Sequence, residues 1–325
     1  MVNRDRLIAE FFELVQIDSE TKHERDIGDV LKRKLAALGL EVTEDDAAAR
    51  TGHGSGNLFG WMPASPGLES APPVLFTSHM DTVAPGRGIR PTLHDDGYIR
   101  SDGTTILGAD DKAGVAAILE AVRAMAETAM PHGPIQIVIT AGEESGLVGS
   151  RAMDPSRLRA KLGYALDSNG AIGSIAVAAP TNSRQVIAIQ GKAAHAGVNP
   201  EDGISAIQVA AKAVSRMRLG RIDPETTANI GRFEGGGEVN VVADRVRIYS
   251  EARSQSNEKM ERQVESMREA VAGACADFGA QFEFDNTVMY PAYRFGEEDE
   301  VVRIARTAIE AIGLMPRPFH SGGGS

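Results

Sequence analysis

Four short stretches put imidazole and carboxylate groups where apolar runs stop. His79-Met80-Asp81 closes the run over residues 73–79, and Glu143-Glu144 follows the run over 135–140. Asp167 ends a third run over 163–167, and Asp110-Asp111 stands just before a long segment of helical periodicity. Each group has a plain use by itself. His79 could be a buried, hydrogen-bonded histidine, and Asp110 or Asp111 a helix N-cap. Glu143-Glu144 could be a solvated pair, and Asp167 could cap a turn with Ser168 and Asn169. Four such groups at successive element ends say more together than apart. Ligands of open α/β sheets gather outside the carboxyl ends of the strands. One imidazole with several carboxylates suits a borderline ion such as zinc, and a carboxylate can bridge two ions. The conjunction points to a metal centre.

The elements that must position these groups are legible from periodicity. Residues 73–79 (PVLFTSH), 135–140 (IQIVIT) and 163–167 (GYALD) read as buried strands, and 112–127 as a helix with Val115, Ile118, Leu119, Val122 and Met125 on one face. Leu7, Ile8, Phe11, Phe12, Leu14 and Val15 mark an amphipathic first helix. Thr21-Lys22-His23-Glu24 has the pattern of a capping box before a second helix that Gly39 stops. Strands alternating with helices give an α/β fold with a mixed, mostly parallel sheet flanked by helices. After Pro180 the pattern changes to strand 183–190, helix 203–218, strands 226–233 and 240–253, helix 257–278 and strand 281–284. That order is βαββαβ, an α+β domain read here as inserted at residues 182–287. Residues 1–181 plus 288–325 form the other domain in this reading, with one more helix over 297–312.

Composition narrows the classes. The chain has 325 residues, enough for two domains, and 42% apolar with 24% charged residues is a globular balance. A net charge of −11 argues against a nucleic-acid or membrane-surface partner, which wants a basic face. One cysteine, Cys275, cannot form an internal disulfide, and a cytoplasmic setting is expected. Cys275 lies among alanines on a helix and reads as core. No G-x-S-x-G stretch stands at a strand-to-helix turn, which speaks against a serine hydrolase. Gly235-Gly236-Gly237 lacks the lysine and helix of a phosphate cradle and reads as a hairpin.

The motifs SHMDTV (78–83), GADDKAG (108–114), AGEESGLVGS (141–150), ALDSNG (165–170), GKAAHAGVNPEDGISAI (191–207) and EARS (251–254) together resemble the M20 metallopeptidases. The HAGVNPEDGI stretch and the later GGGS resemble the peptidase T-like branch. The resemblance spans essentially the whole chain and implies a zinc-exopeptidase type of fold. It implies two divalent ions, zinc with cobalt or manganese as alternatives. His79 and Asp167 would hold one ion, Asp110 would bridge both, and Glu144 would hold the second. Glu143 would be the general base. Asp81 would orient His79, since a metal-bound imidazole usually gives its other N–H to a carboxylate. The family also commonly carries a cis peptide at Asp110-Asp111. His195 would donate to the oxyanion, Arg253 would bind the substrate's carboxylate, and Asn240 would contact substrate.

The activity that the resemblance implies is that of a zinc-dependent peptidase on short peptides, of the tripeptide aminopeptidase kind. An N-acyl amino acid hydrolase or carboxypeptidase is the alternative within enzymes, and a non-catalytic binding protein the alternative outside them. A homodimer through residues 182–287 is expected, with a lid on its own subunit as the other use of that domain. The family supplies a last histidine to the second ion beyond the glycine-rich loop. The histidines here are 23, 53, 79, 94, 132, 195 and 320, none beyond it. The chain therefore reads as shortened at its end, with one ion held tightly and hydrolysis weak.

Overall fold

The computed structural model describes residues 1–324. Backbone contacts divide them into two compact units, Met1–Gly170 and Ala171–Gly324.

The first unit opens with α1 (Arg4–Val15), capped by Asn3, whose side-chain oxygen accepts from the Arg6 N–H at 3.1 Å. Helix α2 (Arg25–Ala37) ends two residues before Gly39, which takes a left-handed φ of 87°. The capping box expected before α2 does not form. Glu24 occupies the cap position without a side-chain cap bond, and its carboxylate instead accepts from Lys22 N–H and Gly54 N–H, both at 2.8 Å. Next come β1 (Glu41–Glu44), α3 (Ala47–Thr51), β2 (Leu58–Met62) and β3 (Val74–His79). A small hairpin of β4 (Thr92–Leu93) and β5 (Ile99–Arg100) leads to α4 (Ala109–Glu127). Then follow β6 (Ile135–Thr140), α5 (Val148–Ala152) and β7 (Leu162–Ala165). The sheet runs β1-β2-β6-β3-β7. Strand β3 is parallel to both β6 and β7, while β2 and β1 add antiparallel strands on one side.

Leu14, Ile27, Leu31, Leu35, Val115, Leu119, Ile137 and Ile139 are fully buried in one core. Each contributes about 1.5–3 kcal/mol by leaving water. That packing fixes where the strands stop. His79 pairs with Thr140 in register, and the Met80 N–H donates to the Thr140 carbonyl at 2.9 Å. Two parallel strands therefore end level with each other.

In the second unit, β8 (Ser174–Ala179) leads to β9 (Thr181–Gln190), α6 (Ala206–Arg216), β10 (Gly220–Asp223), β11 (Thr226–Gly235), β12 (Arg245–Ser254), α7 (Asn257–Phe278) and β13 (Gln281–Tyr290). The sheet is antiparallel throughout, in the order β10-β11-β12-β9-β13, with α6 and α7 packed against it. This is the βαββαβ pattern with a short extra strand, β10. Cys275 is buried in its core. Strand β12 starts at Arg245 instead of near residue 240, because residues 240–242 pair with the loop around His195. The unit ends with β14 (Tyr293–Arg294), α8 (Glu300–Ala311) and β15 (Arg317–His320). Strand β8 pairs with β14 and β15 in a separate three-stranded sheet. That pairing groups residues 171–181 and 288–324 with the second unit, whereas the order of elements alone assigns them to the first.

No helix among the described residues is long and apolar enough to cross a membrane.

Candidate metal centre

The end of β3, the loop after β6, the first residues of α4 and the segment after β7 meet at one edge of the first unit's sheet. His79 is 2% exposed. Its Nε2 lies 2.9 Å from Asp110 Oδ1 and 3.8 Å from Asp167 Oδ2. Its Nδ1 faces the Asp81 backbone carbonyl at 3.0 Å and Asp81 Oδ1 at 3.4 Å. One donor atom each of His79, Asp110 and Glu144 falls within 4.8 Å of the others, and so does one each of His79, Asp111 and Asp167. Two ligands of one tetrahedral zinc, each about 2.05 Å from the ion, stand about 3.3 Å apart, so these spacings are of the right size.

The second grouping brings in Asp111, and hydrogen bonding separates the two aspartates. Asp111 is buried, accepts from Ser78 Oγ at 2.5 Å, and takes the Gly114 N–H at 3.1 Å. Its carboxylate is occupied in holding the start of α4 to β3. Asp110 points outward, with a side chain 71% exposed and its carboxylate on His79. Of the pair, Asp110 is the one free to take a cation. The peptide between them is cis.

Asp81, fully buried, ties the groups together. One oxygen accepts the Glu143 N–H at 3.0 Å, and the other the Glu144 N–H at 3.2 Å. It thus orients the glutamate turn as well as the His79 ring. Behind it stands Lys112, also fully buried, whose Nζ donates to Ser19 Oγ at 2.7 Å. Burial pulls the Lys112 ammonium down to about 8, against the charges of Asp81, Asp111 and Glu24. Nothing in the sequence singles this lysine out, since position 112 reads as the polar start of a helix. Its signal is only spatial, in the acidic groups that three separate segments bring around it.

Protonation shows the same crowding. Burial raises Glu143 to about 7, with the charges of Asp167, Glu144 and Asp81 adding to the rise and His79 opposing it. Burial raises Asp111 to about 7 as well. Glu144 is shifted upward by burial and then by Asp110, Asp81 and Asp167. Burial alone would lower His79, yet hydrogen bonds to Asp110 and Asp81, with the charges of Asp81 and Asp167, carry it to about 11. A divalent cation would reverse these trends by supplying the missing positive charge. The donor set and its charge imbalance fit such an ion. The side of the sheet bearing His79 also lines a cavity of about 250 Å³ with Leu75, Thr77, Val138, Met153 and Leu158, reaching Glu143 and Asp167.

In the second unit, the segments bearing His195 and Asn240 pair through their backbones. His195 bridges to Val241, and the Ala196 N–H donates to the Asn240 carbonyl at 2.9 Å. The Gly197 N–H donates to His195 Nδ1 at 3.1 Å, which leaves Nε2 as the N–H of the neutral ring. Arg253, near the end of β12, forks onto Glu251 at 3.0 and 3.2 Å and donates to the Gly322 carbonyl at 3.2 Å. It faces a polar cavity of about 560 Å³ shared with Arg221, Arg294 and Glu225.

Comparison with known proteins gives a consistent picture. The sequence model of the peptidase dimerisation domain matches residues 183–278, and that of peptidase family M28 matches residues 60–206. The chain is 55% identical to the protein YqjE of Bacillus subtilis, over all of this chain and 86% of that one. Among solved structures it resembles the aminopeptidase PepT of Bacillus cereus, with 56% identity and a TM-score of 0.89 over 100% of this chain and 86% of that one. It also resembles a tripeptidase of Staphylococcus aureus, with 46% identity and a TM-score of 0.94 over the same shares.

Proposed function

Since the chain belongs to the M20 peptidases, in their peptidase T-like branch, and is a peptide hydrolase, we propose that it removes N-terminal residues from short peptides, tripeptides above all, with zinc as its metal. The observation that carries this reading is the convergence of His79, Asp110, Glu144 and Asp167 beside Glu143, with Asp81 setting the His79 ring and the Glu143–Glu144 turn. The names of the B. cereus and S. aureus relatives support the choice of substrate.

His79, Asp110 and Asp167 would hold one ion, and Asp110 and Glu144 a second. Bound there, such ions supply Lewis-acid polarisation of the scissile carbonyl and acidify a water. Glu143 takes the proton of the attacking water on its carboxylate and passes it to the leaving nitrogen as the C–N bond breaks. Asp81 keeps the His79 ring and the Glu143–Glu144 turn in place and stays ionised, because His79 and two backbone N–H groups outweigh its burial. His195 is assigned the oxyanion donor, Arg253 the peptide's carboxylate and Asn240 a polar substrate contact. Residues 182–287 are assigned a pairing role between two subunits, which the dimerisation-domain match supports. Light scattering after size exclusion reads that assignment directly.

The test is a panel of tripeptides, dipeptides and N-acyl amino acids, assayed on the chelator-treated chain before and after adding zinc, cobalt or manganese. Zinc-restored release of the N-terminal residue from tripeptides supports the reading. Activity confined to N-acyl amino acids would overturn it.

A further inference from the structure

The hydroxyl that should have capped α2 points elsewhere. Thr21 Oγ1 lies 2.6 Å from Ser145 Oγ, and Ser145 directly follows the Glu143–Glu144 pair. The same Ser145 oxygen lies 3.2 Å from Nε2 of His53, a histidine that no role assigned above uses. His53 Nδ1 in turn lies 3.2 Å from Thr51 Oγ1.

The direction of this chain can be worked out from its far end. Thr51 donates its only hydroxyl proton to the Ala47 carbonyl at 2.7 Å. Toward His53 it is therefore an acceptor, and the neutral ring carries its proton on Nδ1. Nε2 is then an acceptor and takes the Ser145 hydroxyl proton. Ser145 oxygen is left to accept from Thr21. Every hydroxyl in the line is used once as a donor.

The ring also touches the other end of the glutamate turn. Gly142 has a φ of 63°, and a side-chain carbon built there would stand 2.7 Å from His53 Nε2 and Cδ2. His53 thus lies over Gly142 and holds Ser145, the residues on either side of Glu143 and Glu144. Asp81 fixes the two amides of that turn from one direction, while Thr21, Ser145 and His53 fix its side-chain end from another.

We propose that His53, through Ser145 and against Gly142, is a positioning residue for the Glu143–Glu144 turn. The proposal rests on the reading of Glu144 as a metal ligand. Outer partners of metal ligands typically cost about 10–100-fold in affinity when removed.

The experiment is calorimetric zinc titration of the metal-free chain, with its melting temperature measured alongside. His53→Ala should weaken the weaker of the two zinc-binding events, the one assigned to Glu144, by about 10–100-fold and leave the tighter event unchanged. Ser145→Ala, which removes only a hydroxyl, should do the same should His53→Ala not fold. His53→Gln, which keeps an acceptor in the place of Nε2, should retain most of the affinity. Ring nitrogen shifts of the metal-free wild type should show the proton of His53 on Nδ1. Unchanged zinc affinity in both alanine variants, or a loss as large in His53→Gln as in His53→Ala, would overturn the inference while leaving the metal centre standing. A proton on Nε2 would overturn the assigned direction. A wild-type chain that takes up no zinc would remove the metal centre and the inference with it.

Discussion

In the first unit His79 and Asp81 are 2% and 0% exposed, and the lysine behind them is sealed from solvent. In the second, His195 and Asn240 are exposed, and Arg253 is 29% exposed and answers to a single carboxylate, Glu251. Both units are sheets with helices packed on them, so architecture alone does not produce the difference. It comes from strand direction. Parallel strands end together, and the ends of β3 and β6 collect groups from four segments into one place, where burial and like charge shift proton affinities. The candidate groups of the antiparallel sheet ride on loops and strand ends where water screens them. The first unit thus buries its charged groups against one another, and the second leaves its candidate groups in reach of water.

That contrast can be attacked where its effects are largest. Glu143→Gln should cut turnover by about 10²–10⁴-fold while zinc content and substrate binding stay as in the wild type. Rates together with elemental analysis of the dialysed protein check this. Glu144→Gln should instead lose metal, and equal metal loss in both variants would dissolve the division between base and ligand.

A smaller effect belongs to the second unit. Arg253→Ala should raise KM for peptides with a free C-terminal carboxylate by about 10–100-fold, the range of one or two hydrogen bonds to a charged group, with little change in kcat. C-terminally amidated peptides should be indifferent to the substitution. A fall in kcat with KM unchanged would place Arg253 in the chemistry and blur the contrast.

The smallest effect concerns acid. Burial would raise Glu44, yet Arg25, the Gly56 N–H and Lys32 hold it down to about 2. Hydrogen bonds from Arg6 hold Glu120 at about 2, against its burial. Both are ordinarily near 4.5, so the folded state binds these protons less readily than the unfolded one. The stability they contribute is present above about pH 4.5 and is lost as pH falls toward 2. Glu44→Gln should flatten the acid limb of a urea-unfolding series between those values. An unchanged slope would mean that the Arg25 pairing contributes nothing.

Much of the first unit's chemistry is legible as polar residues at the ends of apolar runs, because parallel strands and their ends leave that mark in sequence. The scaffolding behind it is not. Lys112 and Ser78 look like ordinary positions in a helix and a strand, and only the packing of α4 against β3 turns them inward. Thr21 carries a capping-box pattern whose hydroxyl the fold commits to Ser145. Edge strand β1 and its neighbour β2 escape periodicity because EVTE is polar and Gly60 interrupts the run in β2, where Leu40 would stand 2.9 Å from any added side chain. In the second unit the helices and long strands are legible. The pairing of 240–242 with the His195 loop is not, since it joins two irregular segments.

On the proposed reading the strand-end cluster of the first unit holds metal and the arginine cavity of the second does not, and every role assigned above depends on that distinction. Calorimetric zinc titration of the metal-free chain tests it, run on the wild type, His79→Ala and Arg253→Ala. Tight zinc binding is expected in the wild type, its loss in His79→Ala with the protein still folded, and an unchanged isotherm in Arg253→Ala. A His79→Ala isotherm that overlays the wild type would contradict the assignment.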